Sequence, residues 1–306
     1  MDSPAVRENT IHPHPGTADG TPVSRLWRRL RLVLVLGALA GAAVALASCN
    51  DEEEAPQIQQ ANVVAEDFVF RAPAQLSAGL TTFRLENKGK EPHHAQLARL
   101  KDGTTLQQLQ QATQRDPNQA LALLEFAGGP GVQPQGKTGE ATVTLRQGQY
   151  VMLCFVAGAD RVPHLAKGMV QPFQVGAASG AATAKQPKSD VEVVTRDFAF
   201  QAPTTLKAGS HVVRVVNNGK EPHEMALIKL QQGKTLQDVF AWEQKPEGPP
   251  PFDFAGGFQA IDPAGTGWAK VELAKGGYAL LCFVPSPANQ GKPHTELGMV
   301  LPLTVQ

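Results

Sequence analysis

Short apolar stretches recur along the chain, and turn sequences separate them. In several of them apolar and polar residues alternate, as in Asp67-Phe68-Val69-Phe70. A period of two is typical of a β-strand with one buried face, and many short strands with regular turn signals indicate a β-sandwich. The predicted strands are 62–70, 81–86, 93–100, 141–145, 151–156 and 169–175, followed by 191–200, 211–216, 223–230, 268–273, 278–284 and 299–305.

Two other stretches have the spacing of apolar residues that is typical of a helix. They are 105–111 and 235–242, and each begins with a Thr that can cap the first helical turn. A matching Phe-Ala-Gly-Gly sequence follows each of them, at 126–129 and 254–257. The pattern therefore predicts an all-β fold of two tandem sandwiches, each with a short helix-and-loop insertion.

The whole pattern occurs twice, and most matching positions are 130 residues apart. Between the copies, residues 177–189 are mainly Ala, Gly, Ser, Lys and Pro without an apolar period, which indicates a linker. We predict a first domain at 58–176 and a second at 190–306. The linker leaves open whether the two domains sit side by side or move independently.

The first 48 residues are expected to be a signal peptide that takes no part in the fold. Arginines precede an apolar run at 32–47, which ends in Leu46-Ala47-Ser48-Cys49 and resembles a bacterial lipobox. Cys49 would then carry the lipid, and 49–57 would be an acidic tether. The alternative is an uncleaved transmembrane anchor, although this run is shorter than the ~20 residues that a membrane span needs. The lipobox predicts an exported protein of the bacterial cell envelope, lipid-anchored on the periplasmic or extracellular face.

Charge and cysteine content narrow the possible partners and cross-links. The chain has 28 basic and 28 acidic residues. It therefore lacks the basic excess that would indicate binding to nucleic acid. Of its three cysteines, Cys49 belongs to the lipobox, and each repeat contains one more, Cys154 or Cys282. No disulfide can therefore close within a repeat. A Cys154–Cys282 bridge or two inert buried thiols remain as alternatives to a functional role.

One motif surrounds each of these two cysteines. The first copy reads Tyr150-Val151-Met152-Leu153-Cys154, then His164 after Pro163 and Met169 in Gly-Met-Val. The second copy has the same order, with eleven residues between the cysteine and its histidine instead of nine. Upstream, Gly-Lys-Glu-Pro-His occurs at 89–93 and again at 219–223. A thiolate, two imidazoles and a thioether are the ligands of a trigonal copper site with a weak axial Met.

These motifs resemble those of plastocyanin and the wider cupredoxin, or blue copper, family, over nearly the whole chain after the leader. The resemblance implies two Greek-key β-sandwiches and electron transfer, with up to two type 1 coppers per chain. The implied metal ligands are His93, Cys154, His164 and axial Met169 in the first domain, and His223, Cys282, His294 and axial Met299 in the second. Cys-to-His loops of nine and eleven residues are longer than the two-residue loop of plastocyanins.

The resemblance also separates the copper chemistries that such domains support. The sequence after the leader lacks the His-x-His pairs of multicopper oxidases, and Leu153 and Leu281 stand where copper nitrite reductases have a His before the Cys. We therefore expect a non-enzymatic electron carrier, with the membrane and a redox protein as partners. A copper-storage lipoprotein and a metal-free interaction module are the alternatives.

The residue after the first histidine differs between the copies: it is His94 in one and Glu224 in the other. Adjacent residues of a strand point to opposite faces. If His93 and His223 face a metal, the next side chains are expected to point away from it into solvent.

Overall fold

A computed structural model describes residues 56–115 and 120–306, and the leader, Cys49 and most of the tether lie outside these ranges. Within these ranges, nine strands and one helix can be assigned to the first repeat. They are β1 Gln59–Glu66, β2 Val69–Arg71, β3 Gln75–Asn87, β4 Gln96–Leu100, α1 Leu106–Arg115, β5 Leu124–Phe126, β6 Pro130–Val132, β7 Thr138–Leu145, β8 Gly148–Leu153 and β9 Val170–Ala178.

The second repeat follows a similar order, with eleven strands and one helix among the described residues. Its elements are β10 Val191–Arg196, β11 Ala199–Gln201, β12 Thr205–Leu206, β13 Gly209–Asn217, β14 His223–Leu230, α2 Leu236–Gln244, β15 Phe252–Ile261, β16 Thr266–Leu273, β17 Gly276–Leu281, β18 Pro285–Ser286, β19 Lys292–Pro293 and β20 Val300–Val305. Short 3-10 helices occupy His164–Lys167, Gly180–Thr183 and Pro287–Asn289.

Each repeat is a sandwich of two sheets with the apolar core between them. In the first repeat β2, β1, β3 and β7 form one sheet, and the beginning of β3 pairs with β9 to start the other, β9-β8-β4-β5. The second repeat has β11-β10-β13-β16 opposite β12-β20-β17-β14-β15. The predicted all-β, two-sandwich architecture is confirmed.

Both predicted helices are present, and their first turns show why they begin where they do. In α2 the hydroxyl of Thr235 accepts from the Asp238 N–H, while the Asp238 carboxylate accepts from the Thr235 N–H. Thr105 and Gln108 exchange the same pair of hydrogen bonds before α1. Such reciprocal capping satisfies donors that the helix itself leaves unpaired. Among the described residues, no helix has the length and apolar character needed to cross a bilayer.

Strands also pair across the boundary between the repeats. β7 lies antiparallel to β16, with Ala141 opposite Ala269, and β6 lies antiparallel to β15. Ala141 and Ala269 are matching positions in the two copies, so their pairing places a local twofold axis between the repeats. The side chain of Phe258 on β15 lies against Gly128 of the first repeat, where an added Cβ would overlap its ring. The repeats therefore sit side by side and share one continuous sheet.

The segment predicted as a linker is partly ordered against the first repeat. Strand β9 extends to Ala178, and the 3-10 helix that follows buries Ala181 next to Gly79. Ser179 caps this helix by accepting from the Ala181 N–H. The compositional signal for a flexible linker missed these contacts because small residues such as Ala can pack closely without forming an apolar stripe.

Candidate metal centres

The Cys, the second His and the Met of each motif are held by backbone hydrogen bonds at one end of a sandwich. Cys154 follows β8, His164 begins a 3-10 helix, and Met169 precedes β9. The His164 N–H donates to Val156 O at 2.9 Å, and the Met169 N–H donates to His164 O at 2.9 Å. In the second repeat His294 donates to Val284 O and Met299 to His294 O in the same way. The longer second loop is accommodated by the β18–β19 hairpin, so both loops return the His to an equivalent place.

The three strongest ligand candidates of the first repeat converge on one point. Cys154 Sγ lies 3.5 Å from His164 Nδ1 and 3.9 Å from His93 Nδ1, and the two Nδ1 atoms are 3.0 Å apart. All three residues are buried, as is Met169. The structure therefore brings together the predicted thiolate and both predicted imidazoles.

The second repeat contains the same triangle. Cys282 Sγ lies 3.3 Å from His294 Nδ1 and 3.9 Å from His223 Nδ1, and the two Nδ1 atoms are 3.0 Å apart. Met299, which follows His294 in the sequence, is fully buried, and so is Met169 in the first repeat. The role of each Met as an axial ligand remains a prediction that rests on this placement.

Carboxylates on the far side of each imidazole fix which nitrogen carries the proton. His93 Nε2 lies 3.2 Å from Asp67 Oδ1, and His164 Nε2 lies 2.7 Å from Glu91 Oε2. Because a carboxylate can only accept, each Nε2 donates and each Nδ1 keeps a free lone pair. Asp197 and Glu221 do the same for His223 and His294 at 3.1 and 2.9 Å. In each repeat the two Nδ1 atoms are 3.0 Å apart, and their free lone pairs face a thiol. This arrangement is suited to a metal ion.

These four carboxylates were missed in the sequence, although a signal was present. Asp67 and Asp197 open the Asp-Phe-x-Phe stretches, and Glu91 and Glu221 lie inside the Gly-Lys-Glu-Pro-His motifs, all at the 130-residue offset. Burial opposes ionisation of Asp67, but the N–H groups of Lys90 and Glu91 and the His93 ring outweigh it and lower its pKa. The Asp67 carboxylate is therefore held ionised and in place as an acceptor.

The Asp-Phe-x-Phe stretch turns out to be a hairpin instead of one long strand. Asp67 and Phe68 form the turn between β1 and β2, and Phe68 adopts a left-handed backbone with φ of 67°. Its ring lies edge-on to His164 at 5.1 Å, and Phe198, with φ of 64°, meets His294 at 5.2 Å. A non-glycine residue in this region is strained. In this conformation one turn places the Asp67 carboxylate against His93 and the Phe68 ring against His164.

The two thiols are free and do not form the inter-repeat disulfide that the sequence left open. Burial raises the pKa of Cys154 to about 12, against weaker opposition from the N–H groups of His94 and Val156. Burial likewise raises the pKa of Cys282, and Glu224 adds to the effect. A buried thiol of this kind loses its proton when a metal ion binds the sulfur.

The expectation that His94 and Glu224 point into solvent is wrong. His94 is 5% exposed and Glu224 is 8% exposed. Each side chain accepts a hydrogen bond from the residue after the cysteine: Phe155 N donates to His94 Nε2 at 2.6 Å, and Phe283 N donates to Glu224 Oε1 at 2.7 Å. The face of the strand opposite the metal ligands is covered by protein. Burial lowers the pKa of His94 to about 3 and raises the pKa of Glu224 to about 7.

The donor set fits copper. Soft thiolate combined with two imidazoles and a thioether suits copper, whereas calcium and magnesium prefer oxygen ligands. Sides of 3.0–3.9 Å for each triangle match three donors that share one ion through bonds of about 2 Å. The two clusters could thus hold up to two copper ions, and their setting in paired sandwiches confirms the resemblance to cupredoxins.

Comparison with known proteins gave structural matches only. No protein-family model matches the sequence, and no curated protein is significantly similar to it. Reduced auracyanin from the photosynthetic bacterium Roseiflexus castenholzii is 20% identical, with 38% of this chain and 94% of that chain covered and a TM-score of 0.27. Auracyanin A, a "blue" copper protein from Chloroflexus aurantiacus, is 18% identical over 39% of this chain and 100% of its own, with a TM-score of 0.26. The blue copper oxidase from Nitrosomonas europaea is 11% identical over 82% and 86%, with a TM-score of 0.23.

Proposed function

We propose that this protein is a membrane-anchored electron carrier with one mononuclear type 1 copper site in each repeat. The observation that carries the proposal is the convergence of two tautomer-fixed Nδ1 atoms and one buried thiol in each sandwich. The ligands lie on backbone segments that hydrogen-bond to one another. These bonds limit how far the ligands can move, which suits rapid electron exchange because little would have to rearrange when the copper changes oxidation state.

Bound copper would supply one-electron chemistry, and the protein's own residues would keep the surroundings constant. Asp67 and Glu91 hold the two imidazoles of the first site in one orientation, and their counterparts hold the second. The ligand side chains are buried and the apolar core begins directly beneath them. This leaves little room for a substrate at the metal, which favours a carrier over an enzyme.

The appearance and copper content of the purified protein test this proposal. We expect two coppers per chain and intense visible absorption in the oxidised form, which disappears on reduction. A colourless protein that binds cuprous ion tightly would instead indicate storage or delivery. A colourless protein indifferent to copper would indicate a metal-free interaction module. Turnover of oxygen or nitrite by the loaded protein would contradict the non-enzymatic part of the proposal.

Removing one of the supporting carboxylates should weaken one site only. For Glu91→Ala, we expect the copper affinity of the first site to fall about 10–100-fold, since outer-shell partners of metal-bound histidines contribute that much. The second site should be unaffected because Glu221 supports it separately. Competition titration against a copper chelator measures both constants.

Glu86→Ala is a suitable control for Glu91→Ala. It removes another carboxylate of the first repeat, one that is half-exposed and paired with Lys88 at 3.6 Å. Exposed ion pairs contribute little, so this control should keep the wild-type affinity. Equal weakening by both variants would mean that general charge, and not support of His164, controls binding.

Anchoring through a lipid on Cys49 is also part of the proposal. We expect the native protein to partition into detergent and the Cys49→Ser protein to stay in the aqueous phase. Several acyl chains together give stable attachment, whereas one is marginal. Recovery of the Cys49→Ser protein in membranes with its leader intact would favour the transmembrane alternative.

A further inference from the structure

The two metal centres differ in how the residue after the first histidine is held. In both repeats this side chain accepts a hydrogen bond from the backbone N–H directly after the ligand cysteine. In the first repeat the acceptor is an imidazole nitrogen, and in the second it is a carboxyl oxygen. An imidazole has a second nitrogen that also needs a partner when it is buried.

The partner of that second nitrogen comes from the other repeat. Phe155 N is a backbone N–H and can only donate, so His94 Nε2 must be the acceptor. The ring proton of the neutral imidazole is then on Nδ1. Nδ1 faces Oε1 of Gln259, which lies on β15 of the second repeat and is only 2% exposed. A reversed amide would place a donor against a donor, so the hydrogen-bond pattern fixes both groups.

In the part of the chain that the structure describes, the second centre shows no such dependence on the other repeat. Glu224 Oε1 accepts from Phe283 N within its own repeat. Aligning the Phe-Ala-Gly-Gly sequences pairs Gln259 with Gly131 of the first repeat, and glycine has no side chain to offer. An added Cβ on Gly131 would collide with the backbone of Gly256 and Gly257, so no side chain fits there.

We propose that Gln259 of the second repeat is a positioning residue for the metal centre of the first repeat, acting through His94 on the peptide that follows Cys154. The inference rests on the proposed copper-binding function. It adds that the first centre depends on the second repeat, whereas the second centre does not depend on the first. The first centre is completed across the repeat boundary, and the second is complete within its own repeat. Without the Gln259 oxygen, the buried Nδ1–H of His94 has no acceptor, which is costly. The ring then has to rotate or change tautomer, and the Phe155 N–H loses its acceptor.

The first test needs no copper, so it separates this inference from the proposed function. Nitrogen NMR of histidine-labelled, metal-free protein should show His94 with a protonated Nδ1 and a hydrogen-bonded, unprotonated Nε2; His94→Gln identifies its signals. In Gln259→Leu, we expect loss of that pattern. Gln96→Leu is the matched control, since Gln96 is also a buried glutamine that crosses the boundary, donating to Ala260 O at 2.9 Å. The control should keep the His94 pattern. An unchanged His94 in Gln259→Leu would overturn the inference.

The second test reads the metal centres one at a time. In a Cys282→Ser background only the first centre is loaded, and in a Cys154→Ser background only the second. We expect Gln259→Leu to shift the reduction potential and visible absorption of the first centre and to leave those of the second unchanged. Gln96→Leu should shift neither, although it removes a comparable buried hydrogen bond. Equal shifts at both centres, or none at the first, would contradict the proposal. If Gln259→Leu does not fold, Gln259→Met keeps the length of the side chain and serves in both tests.

Discussion

Cys154→Ser is expected to reduce the copper content from two ions to one per chain and to remove the visible absorption of the first centre. Serine offers a hard, protonated oxygen in place of a soft thiolate, which is the ligand type that gives copper its affinity at such a site. The two imidazoles that remain in the first repeat are held by Asp67 and Glu91. They are too few to retain the ion against a chelator.

The second centre should survive this substitution. Its three converging atoms, from His223, Cys282 and His294, all belong to its own repeat, and so do the carboxylates behind them. The reciprocal variant, Cys282→Ser, is the control and should leave only the first centre. Metal analysis and absorption spectra of the two variants and the double variant measure the result. A wild-type protein with one copper, unchanged by Cys154→Ser, would show that the first site is a structural copy.

The ligand sets could be predicted because the sequence contains the motif twice. A single histidine beside a proline has little meaning, but His93 and His223 share an offset with His164 and His294. The triangles found in the structure have these residues at their corners. The predicted sandwich strands were also correct in kind, because strand periodicity depends only on which side chains face the core.

The supporting groups could not be predicted because they depend on which backbone faces which. Asp67 reads as the polar position of a strand, and only the turn at Phe68 brings its carboxylate to His93. Strand alternation indicates correctly that His94 faces away from the metal ligands, but it does not tell what lies on that face. In the structure that face is covered by Phe155 and by a strand of the other repeat.

The shared sheet was not predicted for the same reason. An edge strand has the same alternation whether water or another strand lies beside it. Ala141, at the centre of the β7–β16 pair, is apolar and small in either case. The close packing of the two repeats requires two buried glycines, Gly128 and Gly267, one from each repeat. Both face the ring of Phe258, where any larger residue would collide.

Phe258→Ala is therefore expected to destabilise both repeats, although the residue belongs to the second. Its side chain is fully buried and contacts Gly128 across the boundary. Loss of a buried Phe costs about 3–5 kcal/mol through lost burial and the cavity that remains. At roughly 2–4 °C per kcal/mol for a chain of this size, the Tm should fall by about 6–20 °C. Because the sheet is continuous, we expect one cooperative transition in the wild type and in the variant.

Two signals can follow the two repeats separately in this experiment. Of the three tryptophans, Trp242 and Trp268 lie in the second repeat, and Trp27 lies in the leader and is absent from protein that starts at the tether. Tryptophan fluorescence therefore reports the second repeat, and copper absorption in a Cys282→Ser background reports the first.

Phe252→Ala is the matched control: Phe252 is buried in the second repeat against Trp242 and Phe254. If the shared sheet joins the repeats into one unit, each variant lowers the Tm of the fluorescence transition and the Tm of the copper transition by the same amount. If Phe258→Ala lowers the fluorescence transition and leaves the copper transition of the first repeat in place, the repeats unfold independently and the pairing of β7 with β16 does not couple them.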